Sequence, residues 1–273
     1  MELIEKQIIS STHLDLQAEK VDLHLLEEFA EVINEMGRFP MSQQHDSTKP
    51  FTGYMENAFI KEDSDNLGEY FLKADIYCDD KDLKIEFGGF SYSINIGMKS
   101  NTESPLFGVY LPYPFYNSDE HLERVLEIDE PVKVGKWLKK SADPATVALI
   151  TAFTILILEP LWKQIYDAKF APHIEKLLKS DKIDSSVKRD LVLQARDNSG
   201  NDFSVYFNTS KKKLRSLDPY IIKAGVNVVY EFYSNDSKAQ QIGLAQVRLI
   251  YSESLRNYSI SSLTYKNGEY LNF

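Results

Sequence analysis

The chain has 273 residues, with 31 Lys+Arg against 41 Asp+Glu, and its formal charge is −10. With 43% hydrophobic and 26% charged residues, the composition is that of a folded protein, and it excludes intrinsic disorder. The single cysteine, Cys78, excludes a disulfide within the chain and a zinc site built from cysteines. The length fits one large domain or two small ones, at about 100–200 residues each.

The first residues of the chain differ from a secretory signal peptide. Residues 1–6 (MELIEK) have no basic start, and no apolar run of adequate length follows them. A single cysteine is also typical of a reducing compartment. These features predict a cytoplasmic protein.

The charge is distributed unevenly along the chain. Residues 1–130 carry 10 Lys+Arg and 27 Asp+Glu (−17), whereas residues 131–273 carry 21 and 14 (+7). Such an asymmetry indicates a charged partner. Two interpretations remain open. Either the two halves, or two copies of the chain, dock on each other, or the basic C-terminal half binds an anionic partner such as nucleic acid or anionic lipid.

Residues 1–130 predict an acidic α+β region that begins with strand and helix. Residues 3–17 alternate loosely and indicate one or two strands. Asp22 is a candidate N-cap for a helix, and Gly37 is a candidate left-handed residue at its end. The apolar positions of this helix recur at helical spacing, at Leu23, Leu26, Phe29, Ala30 and Ile33.

The rest of the acidic region predicts mostly β-structure. Residues 38–53 are rich in Pro, Gly, Ser and Gln and indicate a loop. From Tyr54 to Leu111 the pattern indicates strands, including a hairpin that turns at Gly88-Gly89. Ser118 is a candidate cap for a short helix over 119–127.

Residues 131–182 predict a helical segment. Asp143-Pro144 is a typical helix start, and the following stretch 145–158 (ATVALITAFTILIL) contains no charged residue. We expect 145–158 to form a core helix, followed by a second helix over 161–178. The apolar run is shorter than the roughly 20 residues that span a bilayer. A membrane-associated segment that spans the bilayer or lies in its interface is the alternative.

Residues 183–273 predict a basic, antiparallel β region that closes with an Asn267-Gly268 turn. The expected strands are 191–195, 203–207, 226–233, 243–251, 258–265 and 270–273. The predicted fold class is therefore α+β, in which an acidic N-terminal α/β region and a C-terminal antiparallel β region pack around a central apolar helical segment.

A cluster of carboxylates is the candidate metal site. Its members are Asp75, Asp79, Asp80, Asp82 and Glu86. Such oxygen ligands suit Mg²⁺ or Ca²⁺, and a carboxylate-bound metal ion would suit a hydrolase or nuclease. The spacing is not that of an EF-hand, and a charged loop between two strands is the simpler interpretation. No other cofactor is expected.

Two further sets of residues are candidate partner-binding surfaces. The aromatic loop comprises Tyr110, Tyr113, Phe115 and Tyr116, and the basic cluster comprises Lys211, Lys212, Lys213 and Arg215. Exposed tyrosines are rigid amphipathic anchors in protein interfaces, although the same rings could pack between sheet and helix. A basic cluster beside aromatic residues can hold phosphates and stack bases, although it could equally be a solvated turn.

Catalytic motifs are scarce in this sequence. Nucleophile elbows, phosphate-binding glycine loops and an HExxH arrangement are absent, and His173 near Glu175 is an unspecific pair. The leading hypothesis is therefore a non-catalytic protein-interaction or binding protein, whose partner is another protein or a second copy of the chain. A metal-assisted hydrolase or nuclease and a membrane-associated protein are the alternatives.

Overall fold

The structure is a computed structural model of the chain, and its elements confirm the predicted α+β class. The structure describes residues 1–15, 20–42, 50–78, 91–99, 107–128, 130–139, 146–156, 167, 171–180, 188–197, 199–208 and 214–273. The chain divides into two compact units. The first comprises Met1–Ser91, Lys139–Asp143 and Lys266–Asn272, and the second comprises Tyr92–Leu138, Pro144–Tyr265 and Phe273.

The described residues of the first unit form a four-stranded antiparallel sheet and one helix. Its elements are β1 (Glu2–Ser11), α1 (Leu23–Met36), β2 (Phe39–Ser42), β3 (Phe51–Glu62), β4 (Tyr70–Cys78) and the last strand of the chain, β13 (Tyr270–Asn272). The order in the sheet is β1-β4-β3-β2. Strand β2 occupies part of the stretch that was expected to be a loop, and residues 43–49 of that stretch lie outside the described residues.

Helix α1 confirms the prediction from apolar spacing. Leu26, Ala30 and Ile33 are buried, and they recur at the three- and four-residue intervals of one helical face. Gly37 ends the helix with a φ of +72°, and its N–H donates to the carbonyl of Ile33 at 3.1 Å. Asp22 precedes the helix as predicted, but its side chain makes no capping hydrogen bond.

One face of the first sheet packs against α1. Phe51, Gly53 and Met55 of β3 are buried on this face, and the residues between them are half-buried. Gly53 lies opposite Cys78 of β4, and a Cβ atom at Gly53 would lie 2.0 Å from the Tyr77 carbonyl oxygen. The two strands can therefore approach this closely only because residue 53 has no side chain.

The described residues of the second unit form a larger mixed sheet with three helical crossovers. Its elements are β5 (Ser91–Lys99), β6 (Phe107–Leu111), α2 (Asp119–Leu126), β7 (Val132–Lys139), β8 (Thr146–Leu156), α3 (Ala171–Lys179), β9 (Lys188–Arg196), β10 (Asp202–Asn208), α4 (Pro219–Asn235), α5 (Ser237–Ile242), β11 (Leu244–Ser252) and β12 (Asn257–Tyr265). Among the strands of this unit, the order in the sheet is β12-β11-β10-β9-β8-β6-β7-β5. The pairs β6–β7, β8–β9 and β10–β11 are parallel, and helices connect the strands of each pair. The expected strands 191–195 and 203–207 lie in β9 and β10, which form an antiparallel pair.

The central helix that we expected over residues 145–158 is wrong. Residues Thr146–Leu156 form β8, which pairs with β6 and β9. A strand buried on both faces gives a continuous apolar run, as does a buried helix, so hydrophobicity alone does not separate them. The β-branched residues in this run favour the strand. Among the described residues, no helix is long and apolar enough to cross a membrane.

The two neighbours of this segment show which part of the helical prediction holds. β7 is also a strand, whereas α3 is a helix within the second stretch that was expected to be helical, 161–178. Pro172 lies in the first turn of α3, where the missing N–H costs nothing. The start signal at Asp143-Pro144 and the hairpin turn at Gly88-Gly89 lie outside the described residues.

The strand that we expected over 226–233 is also wrong, because these residues belong to α4. The side chain of Asp218 caps α4 by accepting from the Tyr220 N–H at 2.8 Å, and Pro219 opens the helix. The β-branched composition favours a strand, but β10 and β11 are parallel and need a crossover between them. Gly225 faces the sheet, since a Cβ atom there would lie 2.7 Å from the Phe207 ring.

Candidate binding face

The face of the first sheet that points away from α1 is the candidate site, and we call it the open face. Its residues are Leu3, Ile8, Tyr54, Glu56, Phe59, Phe71, Lys73, Asp75 and Tyr77. The register places them together, because Tyr77 lies opposite both Leu3 and Tyr54, and Lys73 lies opposite both Ile8 and Phe59. Residues directly opposite each other on neighbouring strands share one face of a sheet.

Large apolar side chains of the open face are accessible to solvent. Leu3 is 44% exposed, Ile8 is 40% exposed and Phe59 is 37% exposed. Single exposed apolar residues are normal on protein surfaces, but these three residues lie on one face of one sheet, together with three partly buried aromatic rings. An apolar surface of this kind is typical of a contact surface.

One end of the open face carries a stack of aromatic rings and a cation. The rings of Tyr54 and Tyr77 are parallel within 12°, with centroids 4.7 Å apart, and the Arg38 guanidinium lies 5.1 Å from the Tyr54 centroid. A hydrogen bond to the Glu56 carboxylate raises the pKa of the Tyr77 hydroxyl. Arginine and tyrosine arranged in this way offer both stacking area and hydrogen-bonding groups to a partner.

The other end of the open face is built around Phe71. The His13 ring stacks on Phe71 with centroids 5.0 Å apart, and the Lys73 ammonium lies 6.0 Å from the Phe71 centroid. Asp63 fixes the histidine, because its Oδ2 lies 2.9 Å from His13 Nε2. Hydrogen bonds from the Asn66 side chain and then from the Asp65 N–H lower the pKa of Asp63. Its carboxylate is therefore held in the charged form that orients the histidine.

Asp75, the first residue of the predicted metal cluster, lies in the middle of the open face and has a structural role. Its Oδ1 accepts from the Lys6 backbone N–H at 2.9 Å, and its Oδ2 accepts from the Asn57 side-chain amide at 3.0 Å. Lys6 and Asn57 have positive φ angles of 53° and 54°, and each lies at a register irregularity of its strand. Asp75 in the central strand thus holds a bulge in each neighbouring strand.

The remaining members of the metal cluster, Asp79, Asp80, Asp82 and Glu86, lie outside the described residues. Within the described part of the chain, no group of three or more His, Cys, Asp or Glu side chains has the arrangement of a metal site. The structure therefore describes only Asp75 of this set, and both of its oxygens accept hydrogen bonds from the sheet.

The predicted aromatic loop is divided between core and surface. Tyr110 and Tyr116 are buried, and Phe115 packs against the core of the second unit. Tyr113 is the member that is exposed, at 42%, and its ring makes an edge contact with Tyr116. Tyr113 is therefore exposed, as expected of a contact surface. Tyr110 and Tyr116 pack in the core, which is the alternative that the sequence left open.

The predicted basic cluster is mostly outside the described residues. Lys211, Lys212 and Lys213 fall in that undescribed stretch, and Arg215 belongs to a 3-10 helix, Leu214–Leu217. The open face was not predicted from the sequence. Aromatic and charged residues occupy alternate positions on β3, from Tyr54 to Glu56, and on β4, from Phe71 to Tyr77. These positions form one surface only when the two strands pair in the right register.

No protein-family model, no curated protein and no solved structure matches this chain. Inferences about its function therefore depend on the geometry of the chain itself.

Proposed function

We propose that this chain is a non-catalytic interaction protein and that its first unit binds a partner protein through the open face. The observation that carries the proposal is the exposure of Leu3, Ile8 and Phe59 beside the stacked tyrosines. Interfaces are enriched in aromatic residues and arginine, which combine large contact area with polar groups. The open face has this composition.

The charge of the first unit favours a basic partner. The unit carries 11 Lys+Arg and 22 Asp+Glu over its three ranges, which is −11, whereas the whole chain carries −10. All of the net negative charge of the protein therefore belongs to the unit with the open face. A field of this sign accelerates the approach of positively charged surfaces and repels nucleic acid. The charge of the first unit and the apolar residues of the open face therefore favour a partner protein whose surface places aliphatic or aromatic residues among lysines and arginines.

A displayed library of random 12-residue peptides tests this proposal. We expect selection on the full chain to enrich peptides that combine apolar residues with Lys or Arg. Synthetic copies of these peptides should lose about tenfold or more in affinity when Phe59→Ser and Tyr54→Ser are introduced together, which corresponds to about 1.4 kcal/mol. Their affinity should also fall as salt is raised, because the charge term is screened.

A matched control separates the open face from general surface hydrophobicity. Leu255 lies in the turn between β11 and β12 of the second unit and is 74% exposed. Leu255→Ser removes a comparable exposed apolar side chain and should leave peptide binding unchanged. Equal losses in the two variants, or no enriched peptide, would contradict the proposal. If light scattering gives the molar mass of two chains for wild type and of one chain for Phe59→Ser, the partner of the open face is a second copy of the chain.

A further inference from the structure

The first unit has a pocket beside the open face, at the edge of its sheet. The pocket has a volume of about 480 Å³, which is in the range of small-ligand sites. It is lined by residues from the end of α1 and from the bulge of β3, which are Asn34, Gly37, Glu56, Asn57 and Ala58. β2 begins at Phe39, opposite Met55 of β3, and the lining residues of β3 follow Met55. The pocket therefore occupies the place beside β3 that β2 would fill if it began earlier.

Hydrogen-bond donors at the wall of this pocket are engaged within the chain. The Gly37 N–H donates to carbonyls in the last turn of α1. The Asn34 side-chain amide donates to the Ala58 carbonyl, and the Ala58 N–H donates back to Asn34 Oδ1, both at 2.8 Å. The Asn57 side-chain amide donates to Asp75 Oδ2 at 3.0 Å. These bonds hold the wall in place and direct its donors towards the protein.

The groups that the wall offers to a ligand are acceptors and negative charge. Glu56 contributes a carboxylate, and Asn57 contributes its Oδ1 as an acceptor. The carboxyl end of α1 adds partial negative charge, and residues 33–36, its last turn, include no lysine or arginine. Among the described residues, the Glu56 carboxylate accepts from the Tyr77 hydroxyl and pairs with no basic side chain. The pocket therefore fits a cation.

An organic cation fits this wall better than a metal ion. Calcium takes about six to eight oxygen ligands, usually from several carboxylates, whereas Glu56 is the single carboxylate of the lining. An ammonium or guanidinium group needs one carboxylate and a few further acceptors, because it brings its own hydrogen-bond donors. Lysine and arginine side chains carry these groups.

From this chemistry we infer that the pocket receives a lysine or arginine side chain of the partner protein that binds the open face. The inference rests on the proposed function and identifies the place where the basic character of the partner is recognised. Glu56 belongs both to the open face and to the pocket. One continuous partner surface therefore contacts Phe59 with an apolar residue and Glu56 with a basic residue.

Capped amino acids test the pocket without the rest of a partner. The probes are the N-acetyl methylamides of arginine, lysine and citrulline, and citrulline has nearly the shape of arginine without its charge. Each probe is titrated into the ¹⁵N-labelled full chain, and the amide signals of Gly37, Asn57 and Ala58 are followed in ¹H–¹⁵N correlation spectra. We expect saturable shifts with arginine or lysine and none with citrulline. Equal shifts with citrulline, or no saturable shift with either cation, would overturn the inference.

Two variants show whether the Glu56 carboxylate holds the cation. Glu56→Gln keeps an oxygen that accepts from the Tyr77 hydroxyl but removes the charge, and it should weaken binding of the cationic probes about tenfold. Glu5→Gln is the matched control, because Glu5 is an exposed residue of β1 in the same unit and its replacement removes the same charge. This control should bind the probes as wild type does. Equal losses in the two variants would assign binding to the general field of the unit and contradict the inference.

The enriched peptides separate this inference from the proposed function. Each lysine or arginine of a peptide is replaced in turn by norleucine or citrulline. One replacement should weaken binding to wild type about tenfold but have little effect on binding to Glu56→Gln, because the two changes remove the same ion pair. If Phe59→Ser with Tyr54→Ser weakens the peptides but no replacement is coupled to Glu56, the inference fails and the proposed function stands. If no peptide is enriched but a cationic probe binds, the proposed function fails and the pocket remains a site for organic cations.

Discussion

The two sheets of this protein differ in how many of their faces are buried. In the first unit, β3 and β4 alternate buried and half-buried residues, because α1 covers one face and the open face is accessible to solvent. In the second unit, every residue of β6 is buried, so both faces of this strand are enclosed. A strand with one open face has a period of two in its sequence, and a strand enclosed on both faces has none.

This difference explains where sequence patterns were informative. The alternating strands β3 and β4 lie in the stretch that was predicted as β, whereas the unbroken apolar run of β8 was predicted as a helix. It also indicates where a substitution should affect stability and where it should affect binding. Truncation of an enclosed side chain leaves a cavity, and truncation of an open-face side chain leaves only a smaller surface.

The largest expected difference is in the free energy of unfolding, when a phenylalanine is truncated in the second sheet and, for comparison, in the first. Phe107 of β6 is 0% exposed, and Phe107→Ala should lower the free energy of unfolding by about 3–5 kcal/mol. Phe59→Ala on the open face should lower it by less than about 1 kcal/mol, because the ring is already partly hydrated. Urea denaturation measures both variants. Equal losses would mean that the open face is covered and would remove the basis of the binding proposal.

An intermediate effect is expected where α1 holds the bulge of β3. The Asn34 side chain donates to the Ala58 carbonyl and accepts from the Ala58 N–H, both at 2.8 Å. Asn34→Ala leaves these two backbone groups without their partner and should cost about 1–3 kcal/mol. Asn235→Ala is the control, because Asn235 makes a single exposed hydrogen bond to the Glu231 carbonyl in α4. A loss no larger than that of the control would show that the bulge does not depend on α1.

The smallest expected effect is a pH dependence at Asp75. Hydrogen bonds from the Asn57 amide and the Lys6 N–H lower the pKa of this carboxyl group below its usual value of 3.8. The charged form is therefore favoured in the folded state, and its contribution is present above the unfolded pKa and is lost as the pH falls through the folded pKa. Asp75→Asn should be less stable than wild type at pH 7, and the difference should shrink towards pH 3.

Two measurements sharpen the interpretation of Asp75. Asp202→Asn is the control, because Asp202 pairs with Arg196 across an exposed hairpin, where an ion pair contributes little. A thermal-shift series with Mg²⁺ and Ca²⁺ tests the metal alternative. Stabilisation of wild type by either ion that disappears in Asp75→Asn would favour a metal site over the role of holding the bulges.

The site was less predictable than the fold. Tyr110 and Tyr116 have the residue type of an interface and are buried, whereas Phe59 and Ile8 have the residue type of a core and are exposed. Burial depends on which element covers a face, and a single strand does not carry that information. The His173 ring is paired with Glu130, which is 43 positions away in the chain, and the sequence does not indicate this pairing.

By itself, the sequence determined the elements whose signals are local. Apolar spacing and Gly37 located α1, Ser118 located α2, and local patterns located β1, β3 and β4 of the first sheet but not β2. Tertiary structure alone decided that 146–156 is a strand and that 226–233 is helical, against an apolar run and against β-branched composition. The physical reason is that parallel pairing requires helical crossovers and encloses the central strands. Both constraints arise between segments that are distant in the chain.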